Sequence, residues 1–103
     1  MSGFDNTSET VRTVTGTDTL TNNDFDVFAT VTANSIINLP AVAAVQPGRP
    51  YCVVKDAAAF TVTLDASGSE TINGATTLVL AASAFHGVIL VSTGTAWIAK
   101  ALY

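Results

Sequence analysis

The residues of this 103-residue chain that are able to do chemistry are few and scattered. Two clusters group oxygen ligands. Asn22, Asn23, Asp24 and Asp26 lie too close in sequence, with the wrong spacing, for an EF-hand loop, and read as a solvated turn. Asp65-Ala66-Ser67-Gly68-Ser69-Glu70 alternates oxygens around a glycine as a calcium loop does, yet the same residue types are what tight turns use to bond their own backbone. His86 is the one histidine, with no second histidine, nearby cysteine or acidic neighbour on its own segment. It therefore supplies neither a metal site nor an acid-base pair. A serine or threonine nucleophile needs a base and an orienting group converging on it, and His86 is the only histidine base on offer. Asp65 and Glu70 pair carboxylates in the manner of a glycosidase without the length of chain that builds a groove around them. Cys52, the single cysteine, sits in the apolar run Tyr51-Cys52-Val53-Val54 and reads as a small buried hydrophobe rather than a reactive thiol. The residues predict no catalytic group, no metal site and no cofactor; the chain is not expected to be an enzyme.

The elements around these residues are strands. Hydrophobic residues make up 49% of the chain and charged ones 12%, about half the usual share, so solubility rests on Thr, Ser, Asn and Gly. Residues 27–48 and 71–99 contain no Lys, Arg, Asp or Glu. So small a chain, with so few places for charge, has more surface to bury than one core uses, which predicts self-association or attachment to a larger assembly. Arg12, Arg49, Lys55 and Lys100 are the only cations, and a net charge of −4 leaves no basic stripe for phosphate, which argues against nucleic-acid binding. The uncharged runs are broken every few residues by Asn, Gly, Pro, Ser or Thr, so neither reads as a membrane span. The N-terminus lacks the basic and apolar regions of a secretory signal, which fits synthesis and assembly in a cytoplasm.

Period-two patterning starts at Asp18. Phe25, Val27, Ala29 and Val31 alternate with Asp26, Phe28 and Thr30, and residues 36–39, 51–55 and 60–65 read as further strands. Pro40, Pro47 and Pro50 bracket an alanine-rich stretch too closely for more than a short helical turn. Asn73-Gly74, between strands expected at 69–72 and 75–78, is a type I′ hairpin signal, because both turn positions need positive φ. Residues 84–92 are apolar on both faces, the mark of a strand covered on both sides. Residues 96–102 form the last strand and carry Trp97. These strands predict one all-β domain at 18–103, a single antiparallel β-sandwich or jelly roll. Residues 1–17, polar and Thr-rich with large apolar groups only at Phe4, Val11 and Val14, predict an extended N-terminal arm.

The order Ile37-Asn38-Leu39-Pro40, then Pro47-Gly48-Arg49 with Tyr51 and Val53-Val54-Lys55, then Val62-Thr63-Leu64-Asp65 and Ser67 through Leu78, then Val88, Leu90-Val91-Ser92, Gly94 and Ala96-Trp97, resembles a module of tailed-phage structural proteins found in tail fibres, head fibres and capsid decoration proteins. His86-Gly87 departs from that pattern, and Gly87 is expected to mark a bulge or a close backbone approach. The resemblance implies an all-β virion part without catalytic residues, commonly a homotrimer, and a partner in the major capsid protein. One module beginning at Met1 is expected to be a decoration or cement protein rather than a long fibre. The arm would then be laid across coat subunits. Phe4, Val11, Arg12, Val14, Tyr51, His86 and Tyr103 are the expected capsid or subunit contacts. The rival expectation is a receptor- or glycan-binding fibre module that uses Tyr51, Tyr103 or Trp97 as stacking platforms.

Overall fold

The computed structural model describes residues 11–100. Among these residues nine strands run in chain order: β1 Arg12–Val14, β2 Asp18–Thr19, β3 Asp26–Ala29, β4 Ser35–Asn38, β5 Pro50–Lys55, β6 Val62–Asp65, β7 Thr77–Leu80, β8 His86–Ser92 and β9 Trp97–Lys100. They form a five-stranded sheet in the order β1-β3-β5-β8-β9 and a four-stranded sheet in the order β2-β4-β6-β7. The first six strands alternate between the sheets, so the pairs β1–β2, β3–β4 and β5–β6 act as successive coils, each adding one strand to each sheet.

This alternation corrects the expectation of antiparallel sheets. Strands β1, β3 and β5 are parallel to one another, as are β2, β4 and β6, while β7, β8 and β9 pair antiparallel. A parallel pair needs a long crossover, and here each crossover is a strand of the opposite sheet where an α/β protein would use a helix. Both sheets are therefore mixed.

Alternation places the core between the layers. Val27 and Ala29 of β3, Tyr51 and Val53 of β5, and Val88 and Leu90 of β8 are buried from one side, and Ile37, Val62, Leu64 and Leu80 from the other. Trp97 of β9 is fully buried, its ring edge-to-face with Tyr51 at 5.5 Å and 81°. The chain also buries a cation. Lys55 follows Tyr51 and Val53 in inward parity, and its ammonium donates to the carbonyls of Asp56, Ala58 and Ala84, the latter two at 3.2 Å. A buried ammonium is tolerated only when its protons are taken up in this way.

The loops follow their sequence signals with one displacement. Residues 42–44 make a single 3-10 turn, whose Val42 amide donates to the Glu70 carboxylate at 3.1 Å. Asn73 (φ 51°) and Gly74 (φ 88°) form the expected two-residue turn, with Ile72 and Ala75 exchanging backbone hydrogen bonds across it. The strand expected at 75–78 instead occupies Thr77–Leu80, because Ile72 is drawn away to lie beside Trp97. The Asn73 side chain extends that pairing by bonding both the amide and the carbonyl of Ala99. Gly87 makes no bulge, since the β5–β8 register runs unbroken through Val54 and Gly87.

Candidate interaction surfaces

The residues expected to form a contact surface do not gather into one. Val14 is 2% exposed and belongs to the core, with its strand β1 paired to β3 in parallel, so the boundary drawn at residue 17 falls within the folded sheet. Tyr51 is fully buried and its hydroxyl donates to the Thr21 carbonyl at 3.1 Å; burial raises its pKa, against the pull of the Arg49 charge. Neither residue is available to a partner, because each shares the inward parity of its strand. Trp97 is likewise closed off, which removes both described platforms from a stacking site. His86 is half-buried at the start of β8, opposite Lys55. Val11 is exposed just ahead of β1. Phe4 and Tyr103, and the first ten residues of the expected arm, lie outside the described residues.

Arg12 acts at the margin where the two layers meet. From β1 it reaches Asp18 of β2 at 2.7 Å and Asp24 at 3.1 Å, tying the first strands of both sheets together. The Asp18 carboxylate accepts from the Thr19 amide as well, and these two bonds, the backbone one foremost, hold its pKa below the ordinary value. Beside it, the Arg49 guanidinium lies 3.9 Å from the centre of the Phe25 ring and 4.3 Å from that of Tyr51 while donating to the Asp24 carbonyl. Phe25, expected to face inward with Val27, is therefore drawn to the surface over a cation. The cluster of Asn22 to Asp26 is a turn organised by these contacts, with the Thr21 amide donating to Asp24. Among the described residues no group of three or more His, Cys, Asp or Glu side chains is placed to hold a metal ion.

The surface that does assemble is the outer face of the five-stranded sheet. Register places its side chains in three rows. Pro50, Val91 and Ile98 form the first, Asp26, Cys52, Ile89 and Lys100 the second, and Thr13, Phe28, Val54 and Gly87 the third. Its centre is apolar and uncharged, and its charges stand at the two ends of the middle row. Burial first and the Asp26 carboxylate second raise the Cys52 thiol pKa, which favours the thiol over the thiolate. Cys52 is thus half-buried on this outer face, not in the core. The outer face of the four-stranded sheet is different: Ile36 and Val79 are exposed on either side of Thr63, next to a row of Asn38, Asp65 and Thr77. In sequence the first face was signalled only by β8, whose outward Ile89 and Val91 are as apolar as its inward residues. Val54, Phe28 and Ile98 join it through pairings that a linear reading does not supply.

The molecule is thus a predominantly β protein of two mixed sheets, with an apolar sheet face turned to the outside. Comparison with known proteins finds no matching family, no matching curated protein and no matching solved structure.

Proposed function

We propose that the chain is a non-enzymatic structural protein of a virion: a capsid decoration or cement protein, assembled in the host cytoplasm, that binds the phage shell through the major capsid protein as a homotrimer and stabilises it. The observation that carries this reading is the apolar outer face of the five-stranded sheet, which a lone chain leaves in water and an assembly removes from it. The resemblance of the ordered motifs from Ile37 to Trp97 to tailed-phage structural modules supports the virion setting. Attachment would add the edge strands β1 and β2, with the residues before them, to coat subunits by backbone pairing, which gives tight binding without chemistry. The fibre-module reading is favoured by a different observation. Among the described residues, three coils stacked in parallel leave β1 and β2 at the sheet margins, where a further coil can be laid, as a shaft requires.

Copy number separates the two. Quantitative mass spectrometry of purified particles, referenced to the major coat protein, should find this chain in numbers comparable to coat if it decorates the shell. A few copies per particle would place it in a tail, neck or fibre, and its absence from particles would overturn the virion reading.

A further inference from the structure

We propose that the outer face of the five-stranded sheet is the self-association surface, and that three copies close around an axis parallel to its strands, Asp26 of each copy meeting Lys100 of the next. The inference rests on the homotrimer reading above and adds the surface and the charge pair.

Sheet width leads to three. Five strands at about 4.8 Å spacing make a face about 19 Å across. Three such faces arranged as a triangular prism lie about 5.5 Å from the axis, close to half of the ~10 Å at which sheets stack. Side chains of ordinary length then meet at the axis without a lumen. Phe28, Cys52, Val54, Ile89, Val91 and Ile98 are the residues that would fill it.

The charges fix the direction. Asp26 on β3 and Lys100 on β9 are exposed, of opposite sign and in one row, so they stand at the same height along the strands. No β1 residue is registered with Asp26, because β1 begins at Arg12 opposite Val27. A rotation about an axis along the strands brings the β9 margin of one copy to the β1 margin of the next, and because β1 stops short of Asp26's row, Lys100 faces Asp26 across that margin with no shift along the axis. That is the head-to-tail contact of a closed ring. A two-fold stack about an axis across the strands sets Asp26 against its own copy, which repels. One about an axis along the strands pairs the charges but leaves Ile98 opposite the segment ahead of the partner's β3, facing no strand.

Native mass spectrometry and sedimentation of the full chain test this. The expected mass is three times the 10.6 kDa of one chain. Ile89→Glu should convert the trimer into folded monomers, while Ile36→Glu, an equally charged change on the other sheet's outer face, should leave it trimeric. Asp26→Lys and Lys100→Asp should each weaken the trimer by tenfold or more in dissociation constant, and the double swap should restore it. The swap stands as the deciding pair if Ile89→Glu fails to fold. A monomer or a dimer at micromolar concentration, a trimer indifferent to Ile89→Glu, or a double swap no better than the singles would each overturn the proposal. Failure here with coat-like copy number on particles would leave the decoration reading standing and refute only the surface.

Discussion

Replacing Trp97 with alanine tests the layered core most directly. The side chain is fully buried and its indole edge meets Tyr51 at 5.5 Å. Taking ~200 Å² of mostly apolar surface from water at ~25 cal/mol per Å² is worth about 5 kcal/mol. The edge-to-face geometry adds about 1 kcal/mol. Against this, the indole nitrogen is buried with no hydrogen-bond partner among the described residues, a loss of about 1–3 kcal/mol. The balance is about 4 kcal/mol, inside the ~3–5 kcal/mol that large aromatic truncations cost. Because the substitution removes the only tryptophan, urea unfolding should be followed by far-ultraviolet circular dichroism rather than by fluorescence. Ile98→Ala, at a neighbouring residue that is 41% exposed, is the control and should cost about 1 kcal/mol or less in a monomer-forming background such as Ile89→Glu. A Trp97→Ala midpoint no lower than that of the control would show that the ring does not anchor the core, and the argument from inward parity on β9 would fail with it.

Lys55→Met keeps the apolar stem and removes three bonds from half-buried carbonyls; the lost donors outweigh the relief of desolvation, for a net destabilisation of about 2 kcal/mol by urea titration. An unchanged or raised midpoint would mean that the buried charge is the larger burden. Gly74→Val forces a β-branched residue to φ 88° and should lower stability well beyond Ala75→Val, whose position is exposed with ordinary φ; equal thermal shifts would sink the type I′ assignment. The depressed Asp18 carboxyl contributes stability that is present above its unfolded value of 3.8 and lost as pH falls through its lower folded value. With its pair about one-third exposed the effect is small, about 0.5 kcal/mol after screening. Asp18→Asn should flatten the acid limb of a stability–pH profile between pH 5 and pH 2 by about that amount, and an unaltered limb would assign the dependence to other carboxyls.

Period-two alternation carried the strands β3, β5, β6 and β8 in the sequence, and Asn73-Gly74 and the three prolines carried two of the loops. What it could not carry was direction. Alternation reads the same for a strand paired parallel or antiparallel, and the segments between strands are long enough here for either a return or a crossing to the other sheet. Val14 shows the cost at the margin. Three short residues with one apolar group look like an arm until their partner β3 is known. Lys55 shows it in the core, where parity with Tyr51 and Val53 places a charge inward, and the carbonyls of the turn that follows it and of the distant Ala84 make that tolerable. The candidate surface was half legible for the same reason: Ile89 and Val91 declare a two-sided strand, whereas the row from Asp26 to Lys100 joins four strands brought together from positions across the chain.

The alternation of the first six strands between sheets also dictates an order of events during synthesis. None of β1 to β5 pairs with the strand that directly follows it, so among the described residues a nascent chain has no hairpin to form until β6 meets β7. The early partners are at the other end: β6 with β7, and β8 with β9 across the turn closed by Thr93 and Ala96. Strand β5 then needs β8 on one side before β3 is laid on the other. Folding on this plan begins with the later strands and winds backward toward the N-terminus, with slow kinetics set by non-local closure. Loss of a few residues from β9 should abolish it, while removal of the first coil should leave the later ones to assemble.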